Sequence, residues 1–151
     1  MEIRRARDRD FLAIAALDRG AWQSNRNAEF IPDGEHAWRI WVEHALVFCA
    51  VDGDKVIGAV LAFPCTDGRY CLHKVFVHSA YRGGGTAHAL IESVLAEIDG
   101  MAVDVFLTVD PSNEAAIALY ERCGFTVRQS VKGYYREEED RLVLTRLTQR
   151  P

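Results

Sequence analysis

The residues with the clearest capacity for chemistry form a glycine-rich segment, Arg82-Gly-Gly-Gly-Thr-Ala87. Residues typical of a β-strand precede this segment, and an amphipathic helical pattern follows it. The first amides of a helix have no acceptor within the helix and lie at the positive end of its dipole, so they bind phosphate groups well. The sequence therefore predicts a site for a phosphorylated cofactor at this turn.

The spacing within the segment narrows the choice of cofactor. The dinucleotide pattern G-x-G-x-x-G, counted from Gly83, would need a glycine where His88 stands, and the Gly-Lys-Ser/Thr of a Walker loop does not occur. The pattern Arg/Gln-x-x-Gly-x-Gly/Ala does fit, as Arg82, Gly85 and Ala87. It resembles the pyrophosphate loop of the GCN5-related N-acetyltransferases (GNAT), which bind acetyl-coenzyme A. An ordinary glycine turn is the alternative interpretation of the loop alone.

A second ordered set of residues lies closer to the C-terminus. A β-forming run, Val103–Val109, is followed by Asn113 and then by helical spacing over Glu114–Cys123. Singly, Asn113 would be a helix cap and Tyr120 a core aromatic residue. Together with the loop they resemble the other signature of the same family, in which an Asn contacts the pantetheine arm and a Tyr faces the thioester sulfur. The resemblance covers roughly residues 70–147 and implies an acetyl-CoA-dependent N-acetyltransferase.

The resemblance also implies which residues contact the cofactor. In the family, backbone groups of a central strand pair with the pantetheine arm, and the glycine loop holds the pyrophosphate. Tyr120 is then the catalytic acid that protonates the leaving thiolate. The cofactor-binding residues implied in this way are Val75, Phe76, Val77, Arg82, Gly83, Gly84, Gly85, Thr86, Ala87 and Asn113.

The predicted general base differs from that of the family members whose sequence pattern this chain resembles most. Gly133-Tyr134-Tyr135, followed by an acidic stretch and a final strand, is similar to the tail of the RimI-type protein N-terminal acetyltransferases. Those enzymes carry a Glu at the position of Thr108, which cannot act as a base. His73 stands in a segment that resembles a strand of the arylalkylamine acetyltransferases, where a His relays the amine proton, so His73 is the predicted catalytic base. A histidine hydrogen-bonded within the sheet is the alternative.

The basicity of amines indicates the class of acceptor. A peptide α-amine, with a pKa of about 8, is roughly one tenth neutral at pH 7, whereas a lysine side chain with a pKa near 10.4 is almost wholly charged. A site without a firmly placed carboxylate therefore favours a peptide or protein N-terminus as the acceptor. A small aryl- or alkylamine is the alternative acceptor. A non-catalytic domain that senses acyl-CoA is the alternative from another functional class.

Three aromatic residues are predicted to bind the acceptor: Trp22, Tyr134 and Tyr135. In the resembled fold their segments flank the cleft opposite the cofactor, and aromatic walls with polar rims hold peptide-like or aryl groups. The alternative is that these side chains only pack a loop against the sheet. Trp38 and Trp41, at helical spacing, are expected in the core.

The composition limits the other partners. With 151 residues, 49% of them hydrophobic, and a formal net charge of −4, the chain is expected to be one domain, residues 1–151, and a monomer or homodimer. The lack of a basic cluster argues against nucleic acid, and no apolar run approaches the roughly 20 residues of a membrane span. Without a hydrophobic signal region, a cytoplasmic location is expected. Cys71 and His73 alone are too few ligands for a metal site, so no metal is expected.

Periodicity predicts the elements that must position these residues. A hairpin is expected at Asp52-Gly53-Asp54, and Gly20 is expected to end the first helix, leaving residues 22–34 as a loop. The helix predicted over Thr86–Ile98 connects two strands, which should therefore run parallel. With the resemblance, the expected fold is α/β (α+β): a single-domain GNAT-like, mixed and mostly antiparallel sheet of six to seven strands, with parallel central strands and about four helices on both faces.

Overall fold

The computed structural model of the chain describes residues 1–24 and 31–149. In chain order its helices and strands are β1 (Glu2–Arg5), α1 (Asp10–Ser24), α2 (Glu35–His44), β2 (Leu46–Asp52), β3 (Lys55–Pro64), β4 (Tyr70–Val77), α3 (Thr86–Asp99), β5 (Val105–Val109), α4 (Glu114–Arg122), β6 (Val127–Val131) and β7 (Arg141–Arg146). A short 3-10 turn, Ser79–Tyr81, follows β4. Within the described ranges, none of the helices combines the length and the apolar character needed to cross a membrane.

The strands form one seven-stranded sheet in the order β1-β2-β3-β4-β5-β7-β6. The pairs β1 with β2, β2 with β3, β5 with β7 and β6 with β7 are antiparallel. β4 and β5 pair in parallel, and α3 is the helical crossover that a parallel pair requires. This topology confirms the predicted mixed, mostly antiparallel sheet with parallel central strands.

Contacts divide the chain into two compact units, the first of Met1–Phe63 with Lys74–Leu95 and the second of Pro64–His73 with Ala96–Pro151. In the first unit, Trp38 is fully buried, and its ring meets the edge of Trp41 at 5.2 Å and of Phe76 at 5.8 Å between centroids. Trp41 is partly buried against the same cluster. The core positions predicted for both tryptophans are therefore confirmed.

The core of the second unit contains a buried cation. Phe125, Leu107 and Leu144 have almost no exposed surface. Arg146 in β7 is 8% exposed, and its guanidinium lies 2.6 Å from an Asp99 carboxylate oxygen and donates to the carbonyl of Cys123 at 3.1 Å. Because Cys123 is the C-cap of α4, this contact fixes the end of that helix.

The predicted end of the first helix is wrong. α1 continues through Gly20 to Ser24, so Trp22 lies in its last turn rather than in a loop. A glycine within a helix costs about 1 kcal/mol relative to alanine, which the packing of the buried Ile14 and Ala15 on the same helix readily offsets. The rest of the predicted loop falls mainly on residues 25–30, outside the described part of the chain.

Candidate active site

The glycine loop has the conformation that exposed backbone amides require. Gly83 and Gly85 have φ angles of +85° and +80°, a region that suits glycine. A Cβ added at either position would meet no heavy atom within 4 Å, so the demand for glycine comes from the backbone conformation and not from crowding. Every residue from Gly83 to Gly85 is exposed. The glycines of the loop are therefore open to a ligand.

The loop leads directly into α3. The carbonyl of Gly85 accepts the amide of Ala89 at 3.0 Å, which makes Gly85 the residue that opens the helix. Thr86 is buried in the first turn, and Ala87 is partly buried. The amides of this first turn lie before the first intrahelical donor and point out of the helix end. Such a backbone suits the phosphate groups that the sequence predicts here.

The end of β4 is linked to the same loop. The Nε of Arg82 donates to the carbonyl of Val77 at 3.3 Å, and His78 Nδ1 accepts the amide of Ala80 at 3.1 Å. Phe76 and Val77 are buried and Val75 is half-buried. These bonds hold the loop against the strand end, so the residues predicted to bind the arm and those predicted to bind the pyrophosphate are neighbouring parts of one structure.

A groove of about 740 Å³ opens in the first unit beside Val77 and Arg82. One face of α1, with Ala13, Leu17 and Ala21, forms its apolar wall, and Lys55 also lines it. The volume lies within the range of small-molecule sites, roughly 300 to 1,000 Å³. The strand end and the loop therefore adjoin space that a ligand can enter.

The parallel ladder between β4 and β5 is short. It joins Tyr70 with Val105 and Cys71 with Phe106, and both strands continue beyond these pairs. His73, two residues after Cys71, is exposed, whereas Leu72 and Lys74 on either side are buried. Because side chains alternate along a strand, His73 faces away from Lys74. Its role as a base stays a prediction.

Asn113 and Tyr120 lie at opposite ends of α4. The side-chain oxygen of Asn113 accepts the amide of Ala116 at 3.2 Å, so Asn113 is the N-cap of the helix, as its residue type predicts. Its side-chain NH₂ group is the end that can donate to a ligand. Burial raises the pKa of Tyr120 to about 12, and the nearby Cys123 thiol adds to the shift. The Tyr120 hydroxyl therefore keeps its proton throughout the neutral range.

The two tyrosines before β7 are exposed, as a binding surface requires. Tyr134 and Tyr135 are 40% and 56% exposed, and their rings lie 4.8 Å apart edge to face. The hydroxyl of Tyr135 forms a 2.8 Å hydrogen bond with the hydroxyl of Thr108 in β5, and the Arg141 guanidinium lies 5.2 Å from the Tyr135 ring centroid. Sequence reasoning named Thr108 and Tyr135 separately and missed this contact.

Trp22, the third predicted acceptor residue, belongs to the first unit. Its side chain is 41% exposed in the last turn of α1. Four residues before it stands Asp18, which is fully buried and bonded to Lys74 of β4. Sequence analysis did not single out Asp18 or Lys74. The available signal was a lysine on the same face of a strand as Leu72 and Phe76, because a charge among apolar side chains needs a partner.

Comparison with known proteins points to one family. A sequence model described as "Acetyltransferase (GNAT) family" matches residues 11–125. The ribosomal-protein-S18-alanine N-acetyltransferase from Escherichia coli has a similar structure, with a TM-score of 0.81 over 99% of this chain and 95% of that chain. At 24% sequence identity this likeness concerns the fold alone.

Curated relatives share more sequence but differ in length. A mycothiol acetyltransferase of Corynebacterium efficiens is 30% identical over 113 residues, which are 74% of this chain and 36% of that protein. An N-alpha-acetyltransferase 30 of Schizosaccharomyces pombe is 30% identical over 111 residues, 69% of this chain and 74% of that protein. The chain thus spans about a third of the length of the first relative and about three quarters of the second.

Proposed function

Because the chain belongs to the GNAT acetyltransferase family, we propose that it transfers an acetyl group from acetyl-CoA to the α-amine of a peptide or protein N-terminus. Acetyl-CoA supplies the activated acetyl group. Val75, Phe76 and Val77 bind its pantetheine arm, the loop from Arg82 to Ala87 binds its pyrophosphate, and Asn113 contacts the arm.

The observation that carries the proposal is the exposed glycine loop at the start of α3, in which Gly83 and Gly85 have φ angles of +85° and +80°. Its backbone suits the phosphate groups of acetyl-CoA. Tyr120, on the helix that Asn113 caps, is the proposed proton donor. Burial holds the pKa of Tyr120 at about 12. A group that keeps its proton at neutral pH can donate it to a leaving thiolate, whereas mere retention of a cofactor needs no such donor. Tyr120 is therefore assigned as the proton donor, and release of free CoA thiol distinguishes a catalyst from an acyl-CoA sensor.

The preference for an α-amine has two supports. Thr108 stands at the position where the resemblance to RimI-type enzymes would place a Glu, and its hydroxyl is hydrogen-bonded to Tyr135. The site therefore has no carboxylate at this position to deprotonate the amine, which favours an acceptor whose amine is already partly neutral. One relative carries the name N-alpha-acetyltransferase 30 and is 30% identical over 69% of this chain. His73 accepts the proton that the amine loses when it attacks the thioester carbonyl.

A small-molecule amine is the second candidate acceptor. The relative from Corynebacterium efficiens is a mycothiol acetyltransferase and matches 74% of this chain at 30% identity. The exposed Trp22, Tyr134 and Tyr135 suit the polar and apolar faces of a small acceptor as well as those of a peptide.

A screen of acceptors with acetyl-CoA tests the proposal, with release of free CoA thiol as the measurement. Peptides with a free N-terminus should react, and the same peptides with a blocked N-terminus and an internal lysine should not. Reaction with small amines alone would replace the peptide by the second candidate. Binding of CoA in calorimetry without thiol release from any amine would indicate a sensor domain.

A further inference from the structure

A buried ion network lies in the first unit. Asp18 of α1 has no exposed surface, and Lys74 of β4 is 8% exposed. The Lys74 ammonium lies 3.0 and 3.2 Å from the two carboxylate oxygens of Asp18 and 2.9 Å from the Asp33 carboxylate. Lysine and aspartate are rarely buried to this degree unless they are paired.

The network reaches beyond the ion pairs. Asp18 Oδ2 also accepts the indole N–H of Trp38 at 3.0 Å and the backbone amide of Asp33 at 2.9 Å. Lys74 donates to the carbonyl of Ile31 at 2.9 Å. An ammonium has three N–H donors, and the acceptors around this one in the described part of the chain include Asp18, Asp33 and Ile31. One lysine of β4 therefore holds α1 and the segment that leads into α2.

The network acts on the chain on both sides of residues 25–30, which lie outside the described part. Asp18 stands one helical turn before Trp22, and residues four apart lie on neighbouring positions of a helix face. Ile31 and Asp33 stand just before α2. Lys74 thus joins α1, at a position one turn before Trp22, to the chain that enters α2.

Stability alone does not require charges at this place. Apolar side chains of similar volume hold buried elements together as well as an ion pair does, because the pair must offset the loss of its hydration. Hydrogen bonds to an ammonium are directional, and the N–H groups of Lys74 have defined acceptors on α1 and on the chain before α2. The ion network therefore favours one arrangement of the segments that it joins.

We propose that Lys74 is a positioning residue for acceptor binding. Through Asp18, Asp33 and Ile31 it holds the Trp22 turn and the chain before α2 in the arrangement that receives the acceptor. The inference rests on the proposed function and on the acceptor role of Trp22. Lys74 is itself buried, so its proposed role is to position other residues and not to contact the acceptor.

Two variants separate positioning from stability. Lys74→Met leaves the Asp18 carboxylate buried without its cation and should lower the melting temperature. The double variant Lys74→Met/Asp18→Asn removes both charges, while the introduced amide oxygen still accepts the indole N–H of Trp38, and should recover much of the lost stability. In both variants the bonds from Lys74 to the Ile31 carbonyl and to the Asp33 carboxylate are lost, whereas the Asp33 amide still has a side-chain oxygen of residue 18 to donate to. The acceptor KM should therefore rise by about tenfold, and the acetyl-CoA KM should stay unchanged.

Arg4→Met is the matched control. Arg4 forms a 2.7 Å ion pair with Asp10 at the other end of α1, so its loss should reduce stability without changing the acceptor KM. If the double variant regains both the melting temperature and the acceptor KM of wild type, the network is structural and the inference is wrong. A wild-type protein that releases no CoA with any amine would instead overturn the proposed function.

Discussion

The hydroxyl groups of Thr108 and Tyr135 form a 2.8 Å hydrogen bond. Thr108 is half-buried in β5, and Tyr135 is exposed in the segment before β7. The bond joins the residue at which the resemblance to RimI-type enzymes would place a Glu to a tyrosine that is predicted to bind the acceptor. Thr108 thus contacts the proposed acceptor residue Tyr135 directly.

We expect this hydrogen bond to orient Tyr135 for the acceptor. Thr108→Val and Tyr135→Phe should each raise the acceptor KM severalfold, which corresponds to the free energy of about one hydrogen bond. The acetyl-CoA KM should stay unchanged. The double variant should do no more than either single variant, because both remove the same bond. Steady-state kinetics of the four proteins checks this.

Ser93→Ala is the control for the loss of a hydroxyl group, since Ser93 Oγ donates to the Ala89 carbonyl within α3 at 2.9 Å. It should change neither KM. Additive effects of Thr108→Val and Tyr135→Phe would show that the two side chains act independently. Tyr135→Ala, which also removes the ring, should raise the acceptor KM further than Tyr135→Phe.

Replacement of Gly85 by Val should weaken CoA binding by at least tenfold, because a β-branched residue does not adopt the loop conformation in which the amides face the phosphate. The φ angle of Gly85 is +80°, so the variant also carries backbone strain. Calorimetry with CoA measures the affinity, and the melting temperature measures the strain.

Gly68→Val separates these two effects. Gly68 has a φ angle of +89° and, like Gly85, open space around an added Cβ. It lies in the turn before β4, where its amide donates to the Cys65 carbonyl. The two variants should lose similar stability, but Gly68→Val should keep its affinity for CoA. An unchanged affinity in Gly85→Val would remove the loop from the site.

Local signals were sufficient to predict most elements and the cap of one helix. β4 spans Tyr70–Val77, as its β-forming residues predict, and Asn113 caps α4, as its position before a helical pattern predicts. The contacts of Lys74 with Asp18 and of Thr108 with Tyr135 could not be predicted, because their partners lie 56 and 27 residues apart. Such contacts depend on which elements pack together, and periodicity does not contain that information.

The length of α1 shows a second reason why the structure could not be fully predicted from the sequence. Gly20 was expected to end the helix, but the local preference of one glycine is small compared with the packing of a whole amphipathic face. The correction moves Trp22 onto a helix that Asp18 anchors. Trp22 was predicted to lie in a loop, but its position is set by the packing of this helix.

His73→Ala should lower the rate most between about pH 6 and pH 7 and be partly rescued at higher pH, where the amine is already neutral. The pH dependence of kcat/KM checks this. His36→Ala, an exposed histidine on α2, is the control and should keep the wild-type profile. A His73→Ala profile with the wild-type shape would exclude His73 as the base.

Tyr120→Phe should lower kcat by roughly 10²-fold and leave the affinity for acetyl-CoA nearly unchanged, because only the proton donor is removed. The matched control is Tyr70→Phe, which replaces a half-buried tyrosine of β4 and should retain kcat. Single-turnover measurements would attribute the loss to the chemical step. Equal activity of Tyr120→Phe and wild type would mean that another group protonates the thiolate.

The pKa of Tyr120 also predicts how stability changes in alkali. Burial raises the pKa of Tyr120 from 10.0 to about 12 in the folded chain, so the folded state holds this proton more tightly than the unfolded state. The resulting stabilisation is complete below about pH 10 and is lost as the pH rises towards about 12.

The comparison of wild type with Tyr120→Phe isolates this effect, since Phe does not titrate. Burial also raises the pKa of Cys49 to about 11 and of Cys71 to about 12, but these thiols are present in both proteins. The free energy of unfolding, measured with urea from about pH 9 to about pH 11, should therefore fall more steeply in wild type than in the variant. Parallel curves would show that the Tyr120 hydroxyl loses its proton as readily in the folded chain as in the unfolded one, and that burial does not raise its pKa.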